Sequence, residues 1–408
     1  MAAISSSPRW AEFALAMGGL GIGIGEFVIM GLLPDVAHNF GISIPQAGHA
    51  ISAYALGVVV GAPLIAVVAA KMTRRMLLLT LMTVFVLGNL ASALAPNDGW
   101  FLALRFFTGL PHGAYFGVAS LVAAGMAGAE GRAAAVGQVM LGLTVANLIG
   151  IPLATWLGDA LGWRAAFAAV AAVGAAAVVL IWCFVPADRR NPAAGMLREL
   201  TAFRHKQVWL TLGIGAIGFG GMFAVYSYIT PTLTNADHVP EPIVPFVLSI
   251  FGAGMIIGNL AGSRLADKAL MPTIGGVLIW NIVVLAWFGG TAGHRWAAVG
   301  GVFLVGTGFA LVPALQTRLM DVAADAQTLA AALNHSAFNI ANALGAWLGG
   351  LSIAAGYGWT STGWVGALLA AAGVIVFAIS VMVDHEMRDG LPLPSVQAGP
   401  FAKSLGKE

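Results

Sequence analysis

Charge is scarce in this chain: 9% of its 408 residues are Asp, Glu, Lys or Arg, against about 25% in soluble domains. A charge content this low argues against a water-soluble fold. Cysteine is scarcer still. Cys183 stands alone, which excludes a disulfide framework and a Cys-based metal site. No Gly-x-x-x-x-Gly-Lys-Ser/Thr phosphate loop occurs, so an ATP-driven pump is not expected. No metal-binding His/Glu spacing and no catalytic triad pattern stands out, so neither enzyme chemistry nor a cofactor is expected. The net charge is +2, and the basic residues sit in short loops, which gives no nucleic-acid footprint.

What is present is apolar. Hydrophobic residues make up 59% of the chain. They come in blocks of about 20 residues, the length that crosses a hydrocarbon core as a helix. Lipid requires each backbone polar group to be satisfied within its own segment, which favours helices over open sheets. The 54 glycines suit close helix packing in lipid. The reading is therefore an all-α polytopic membrane protein with twelve spans, near 10–33, 46–70, 75–95, 100–126, 134–158, 163–186, 207–232, 243–266, 272–291, 296–319, 329–355 and 359–383. The first span is too long for a signal-peptide core and is read as retained.

The basic residues orient the spans. With the N-terminus in the cytoplasm, all but Arg105, Arg164 and Arg295 of the 19 Lys and Arg fall on the cytoplasmic side. That places both termini inside, and the cell inner membrane is the expected location. The polar stretch 188–206 divides the chain into a six-helix half at 1–187 and another at 207–384, followed by a Pro-containing tail at 385–408 that reads as disordered.

The halves look like copies. Gly57-x-x-x-Gly61 with Lys71 matches Gly254-x-x-x-Gly258 with Lys268, displaced by 197 positions. Asn147 and Gly150 match Asn342 and Gly345, displaced by 195. A parallel six-plus-six repeat places a substrate site between the halves near mid-membrane.

These motifs carry a resemblance. The stretch Gly25-Glu26-Phe27-Val28-Ile29-Met30-Gly31-Leu32-Leu33-Pro34, the Arg105-x-x-x-Gly109 motif with His112-Gly113, and Gly142 through Asn147 to Gly150 and Pro152 resemble the major facilitator superfamily. The similarity is to its twelve-helix drug:proton antiporter branch, and within it to bacterial arabinose-efflux and chloramphenicol-resistance permeases. The resemblance implies a monomeric secondary transporter that uses alternating access and the family's helix 4 arginine, here Arg105, for coupling. One departure stands out. Where the superfamily's loop between helices 2 and 3 has Gly and Asp, this chain has Ala66 and Ala70, although Lys71, Arg74 and Arg75 remain. The second half keeps its acid at Asp267, so gating contacts are expected to lean on Lys71, Arg74, Arg75 and Asp267.

Three residues are candidates for proton coupling. Glu26 lies deep in an apolar span, where an ionised carboxylate costs about 2.5–3.5 kcal/mol or more. It reads as a proton carrier or, alternatively, as a structural acid paired with Arg105. Arg105 reads as its partner or as an interfacial snorkelling residue. His112, seven residues on, lies about 10 Å further along the same helix and reads as titratable or as packing.

Candidate cavity residues are the amides and aromatics within spans: Tyr54, Phe116, Asn147, Phe223, Tyr226, Asn281, His335, Phe338, Asn339 and Asn342. His335, Asn339 and Asn342 form one helical stripe. The expected function is proton-coupled efflux of a small molecule, a lipophilic antibiotic such as chloramphenicol or a sugar-like metabolite. A proton-linked importer or facilitator of a sugar or nucleoside is the alternative within transport. A non-transporting receptor or scaffold is the alternative outside it, and the short tails argue against that.

Overall fold

A computed structural model describes residues 8–188, 195–240, 243–291, 294–323 and 326–389. Arg189, Arg190, Asp325 and everything from 390 on, including Pro392, Pro394, Pro400, Lys403 and Lys407, lie outside the described residues.

Twelve helices among the described residues are long and apolar enough to cross a membrane. They are α1 (Pro8–Phe40), α2 (His49–Val68), α3 (Arg74–Ala93), α4 (Asp98–Ala127), α5 (Arg132–Leu161), α6 (Trp163–Phe184), α7 (Lys206–Tyr226), α8 (Val244–Lys268), α9 (Leu270–Gly290), α10 (Arg295–Val322), α11 (Gln327–Tyr357) and α12 (Ser361–Asp389). A short linker helix, Met196–Glu199, lies between α6 and α7. No strand occurs among the described residues. The fold class read from the sequence is the one observed.

Local chemistry sets the ends. Thr73 caps α3 by accepting from the Met76 N–H at 3.4 Å, and Asn97 caps α4 by accepting from the Trp100 N–H at 3.0 Å. Gly162, at φ +90°, makes the reversal between α5 and α6. Several ends differ from the sequence reading. α1 continues past Pro34 to Phe40. The helix expected to start at 46 is a single turn at Ile44–Ala47 followed by α2. α7 breaks after Tyr226 instead of running to 232, and α12 extends beyond 383.

The two halves repeat the same packing. α2 lies on α4 as α8 lies on α10, and α3 lies on α6 as α9 lies on α12. Glycine is required at the first of these crossings. A Cβ on Gly57 or Gly61 would run into the carbonyl oxygens of Phe106 and Leu110 on α4. A Cβ on Gly254 or Gly258 would meet those of Phe303 and Thr307 on α10. Backbone oxygens cannot swing aside as a side chain can, so only glycine permits this separation. Phe303 and Thr307 stand 197 positions after Phe106 and Leu110. The displacement read from the glycines therefore extends to their partners.

Irregular turns interrupt the helices that line the centre. π-turns occur at Ala146–Gly150 in α5 and Ile214–Gly218 in α7, and a 3-10 turn at Gly308–Ala310 in α10. Such defects are concentrated at functional sites. Large apolar side chains such as Leu56, Leu87, Trp182, Phe246 and Leu368 are exposed on the outside of the bundle, as a lipid-facing surface requires.

Candidate functional site

Between the halves lies a narrow cavity lined from both sides. α1 contributes Glu26 and Phe27, and α5 contributes Leu143 and Asn147. Its second-half wall carries Phe219, Met222, Phe223 and Tyr226 from α7, Phe251 and Met255 from α8, and Phe309 and Val312 from α10. His335, Phe338, Asn339 and Asn342 complete it from α11. Aromatic and thioether groups make most of the surface. The polar side-chain groups are one carboxyl, two imidazoles, three amides and the Tyr226 phenol.

A vestibule adjoins the cavity and shares Phe27, Asn147, Phe223, Tyr226, Phe251 and Asn342 with it. Tyr226 stacks on Phe251 at 4.7 Å in this shared wall. The vestibule continues past Met30, Thr155, Asp159 and Thr230, all at the end of the bundle opposite the linker. At the linker end the halves are joined. Asp267, after the apolar run of α8, accepts from the Ala133 and Ala134 N–H groups at the start of α5, at 2.7 and 2.8 Å. Arg132 pairs with Asp321 at 2.7 Å, and Asn259 donates to the Gly137 carbonyl at 2.7 Å.

The polar centre is built by α1, α2, α4 and α11. Arg105 is fully buried. Its Nη1 donates to the Gly25 carbonyl at 2.8 Å and its Nη2 to the Glu26 carbonyl at 3.4 Å. The guanidinium lies over the Tyr54 ring at 4.4 Å and near Phe167 at 5.5 Å. Arg105 thus pins α1 to α4 through backbone oxygens, and no ion pair within 4.0 Å joins it to the Glu26 carboxylate among the described residues. The Glu26 side chain is free to turn to the cavity, where Oε2 lies 4.0 Å from His112 Nδ1. Tyr54 Oη also meets His112 Nδ1, at 3.1 Å. His112 Nε2 meets His335 Nδ1 at 3.2 Å, and that contact crosses from the first half to the second. Phe116 stacks on His335 at 4.4 Å. His335 Nε2 is buried with no hydrogen-bond partner among the described residues.

The sequence-predicted residues therefore separate into groups. Asn147, Phe223, Tyr226, His335, Phe338, Asn339 and Asn342 line the cavity together with Glu26 and His112. Three expected lining residues do not. Tyr54 and Phe116 stand behind the wall, holding His112 and His335 from their far sides. Asn281, on α9, faces Gly308 of α10 within the second half, because α9 packs on the outside of α10. Of the expected gating residues, Asp267 crosses between the halves. Arg74 and Arg75 do not: their N–H groups donate to Asp188 at 2.8 and 3.2 Å, and the Arg75 guanidinium bonds the Trp182 carbonyl. They brace α3 against α6 inside one half, and Lys71 is exposed.

Sequence reading missed Phe27, Leu143, Met222, Phe251 and Met255 in the wall, because apolar residues carry no signal of which face they take. It also missed Glu199. That carboxylate is buried and accepts from the Leu329 N–H at 2.8 Å. Burial raises the Glu199 carboxyl above its ordinary value. The bonds from Leu329 and Thr328, then the charges of Arg198 and Arg74, pull it back in part.

A twelve-helix bundle of two like halves around a mostly apolar central cavity with a buried polar core defines a membrane transporter. The chain belongs to the Major Facilitator Superfamily, whose family model matches residues 15–334. It is 39% identical to the inner membrane transport protein YdhP of Escherichia coli (strain K12), over 91% of this chain and 96% of that one. It is 30% identical to the chloramphenicol resistance protein of Streptomyces lividans, over 89% and 94%. Among solved structures, the proton:xylose symporter XylE superposes with a TM-score of 0.74 at 14% identity, over 91% of this chain and 95% of that one. This last likeness is one of fold.

Proposed function

We propose that this transporter exports a small, largely apolar molecule in exchange for protons, by alternating access across the cell inner membrane. The linker end and both termini face the cytoplasm in this reading, which makes the arrangement described above outward-open. The chain acts as a monomer, since both walls of the cavity come from one polypeptide.

The observation that carries the proposal is the position of Glu26. A carboxyl group in the middle of an apolar bundle is a functional group by default. Here it lies on the cavity wall, 4.0 Å from a histidine whose other nitrogen reaches the opposite half. A consistent set of donors runs through the centre. The Tyr54 hydroxyl donates to His112 Nδ1, His112 Nε2–H donates to His335 Nδ1, and His335 then presents Nε2–H. A proton arriving from the vestibule loads Glu26. Separation of the halves breaks the His112–His335 contact, so the protonation of the site and the rocking of the halves are coupled through one place. The aromatic lining supports an apolar substrate over a polyol, and the name of the Streptomyces relative supports an antibiotic of the chloramphenicol type.

Proteoliposomes with an imposed pH gradient test this reading. Labelled chloramphenicol should accumulate against its own gradient, on the acidic side, and a protonophore should abolish the accumulation. Movement that is only downhill, or accumulation of a labelled sugar but not of chloramphenicol, contradicts it.

A further inference from the structure

The repeat leaves one end of the bundle asymmetric. In the second half, Asp267 accepts from the first N–H groups of α5, Ala133 and Ala134. Carried through the repeat displacements of 197 and 195 positions, its counterpart is residue 70 and its target is Thr328 and Leu329 at the start of α11. Residue 70 is alanine. A helix start buried at the junction of the halves, with unpaired N–H groups and the positive end of the helix dipole, needs an acceptor. It has one. Glu199 Oε2 accepts from Leu329 N at 2.8 Å, and the Thr328 hydroxyl also bonds this carboxylate.

The linker helix is placed for this by its packing. Met196–Glu199 lies against both α2 and α11. The residues that follow it, Ala202 and Phe203, enter a small apolar cluster with Ala62 and Ala66 of α2 and Ala326 and Leu329 beside α11. The α2 face is made of alanines, which leave room for the linker. Glu199 itself is 8% exposed, and no side chain of α2 is available to do its work.

We infer that Glu199 is the positioning residue that closes the linker end on the α11 side, the linker carboxylate standing in for the acid that residue 70 lacks. The linker is then a latch between the halves as well as a connection. Closure requires the Glu199–α11 bond to form and opening requires it to break, so the balance between the two states depends on it. This inference rests on the alternating-access part of the reading above. It does not rest on the substrate or on the proton.

Spin labels at Met72 and Ala269 test it. Both positions are exposed at the linker end, one in each half, and the native Cys183 is replaced by serine. Inter-label distances are measured by pulsed electron resonance in lipid nanodiscs, with no substrate and no pH gradient. The parent should give mainly the short, closed distance. Glu199→Ala should raise the ratio of open to closed molecules about tenfold or more, the effect of losing a charge-assisted hydrogen bond. Glu199→Gln should lie between them. Ala70→Asp added to Glu199→Ala should return the ratio to that of the parent, because it puts an acid back at the symmetry-related place. Melting curves and monodispersity identify a variant that fails to fold. Should Glu199→Ala do so, hydrogen exchange at the Leu329 amide in Glu199→Gln replaces it, with faster exchange expected. Parent molecules already open at the linker end, an unchanged ratio in Glu199→Ala, unchanged exchange in Glu199→Gln, or no rescue by Ala70→Asp would each overturn the inference.

Discussion

Glu26→Gln should abolish uphill, pH-driven accumulation of chloramphenicol while leaving substrate exchange within about twofold of the parent. Glutamine fills the same volume and can accept hydrogen bonds, so the cavity wall keeps its shape. It cannot take up a proton, so the pH gradient has nothing to act on. The thermal midpoint separates this role from a structural one. A carboxylate in an apolar bundle is a cost of about 2.5–3.5 kcal/mol when ionised, and Glu26 makes no direct ion pair with Arg105 that its loss would break. The variant should therefore melt at or above the parent's temperature. A fall of several degrees, with coupling retained, assigns Glu26 to structure and moves the proton site to His112 and His335.

Arg105→Met should have the next largest effect, and on both stability and transport. Arg105 is fully buried, donates to two carbonyls of α1 and lies over Tyr54. Charge-assisted hydrogen bonds are worth about 1.5–3 kcal/mol each, and a desolvated cation over an aromatic ring about 2 kcal/mol. Part of that loss is offset because no charge remains to be buried. A lower thermal midpoint is expected, and pH-driven accumulation should fall at least about thirtyfold, since the pin between α1 and α4 also fixes the distance from Glu26 to His112. Arg105→Lys keeps the charge but cannot present two donors in one plane to Gly25 and Glu26. It should recover less than a tenth of the parent's accumulation. Near-parental coupling in Arg105→Met would remove Arg105 from the coupling mechanism.

The span count was legible because lipid imposes a coarse rule, about twenty apolar residues per crossing. The ends were less legible. Pro34 lies inside α1 and not at its end, since neighbouring helices tolerate a proline that a solvated helix would not. Within the site, the stripe of His335, Asn339 and Asn342 followed from helical spacing alone, and Asn147 followed from the repeat. Tyr54, Phe116 and Asn281 were polar or aromatic in the same way but face other helices. Their direction is set by which neighbour packs on each helix, which spacing within one helix does not encode. Glu199 was the hardest to see. It sits in a polar linker where acids are ordinary, and its partner is 130 positions away. The one available sign was indirect: an alanine at residue 70 leaves the start of α11 without the acid that its counterpart in α5 has.

The most direct measurement counts protons when substrate binds. Purified protein in weakly buffered detergent, with a pH-sensitive dye, is mixed with chloramphenicol under mildly acidic conditions. Exchange of substrate for protons predicts that the parent releases a proton on binding and that Glu26→Gln binds chloramphenicol but releases none. Binding by the parent with no proton release, or equal release from Glu26→Gln, would contradict antiport through Glu26.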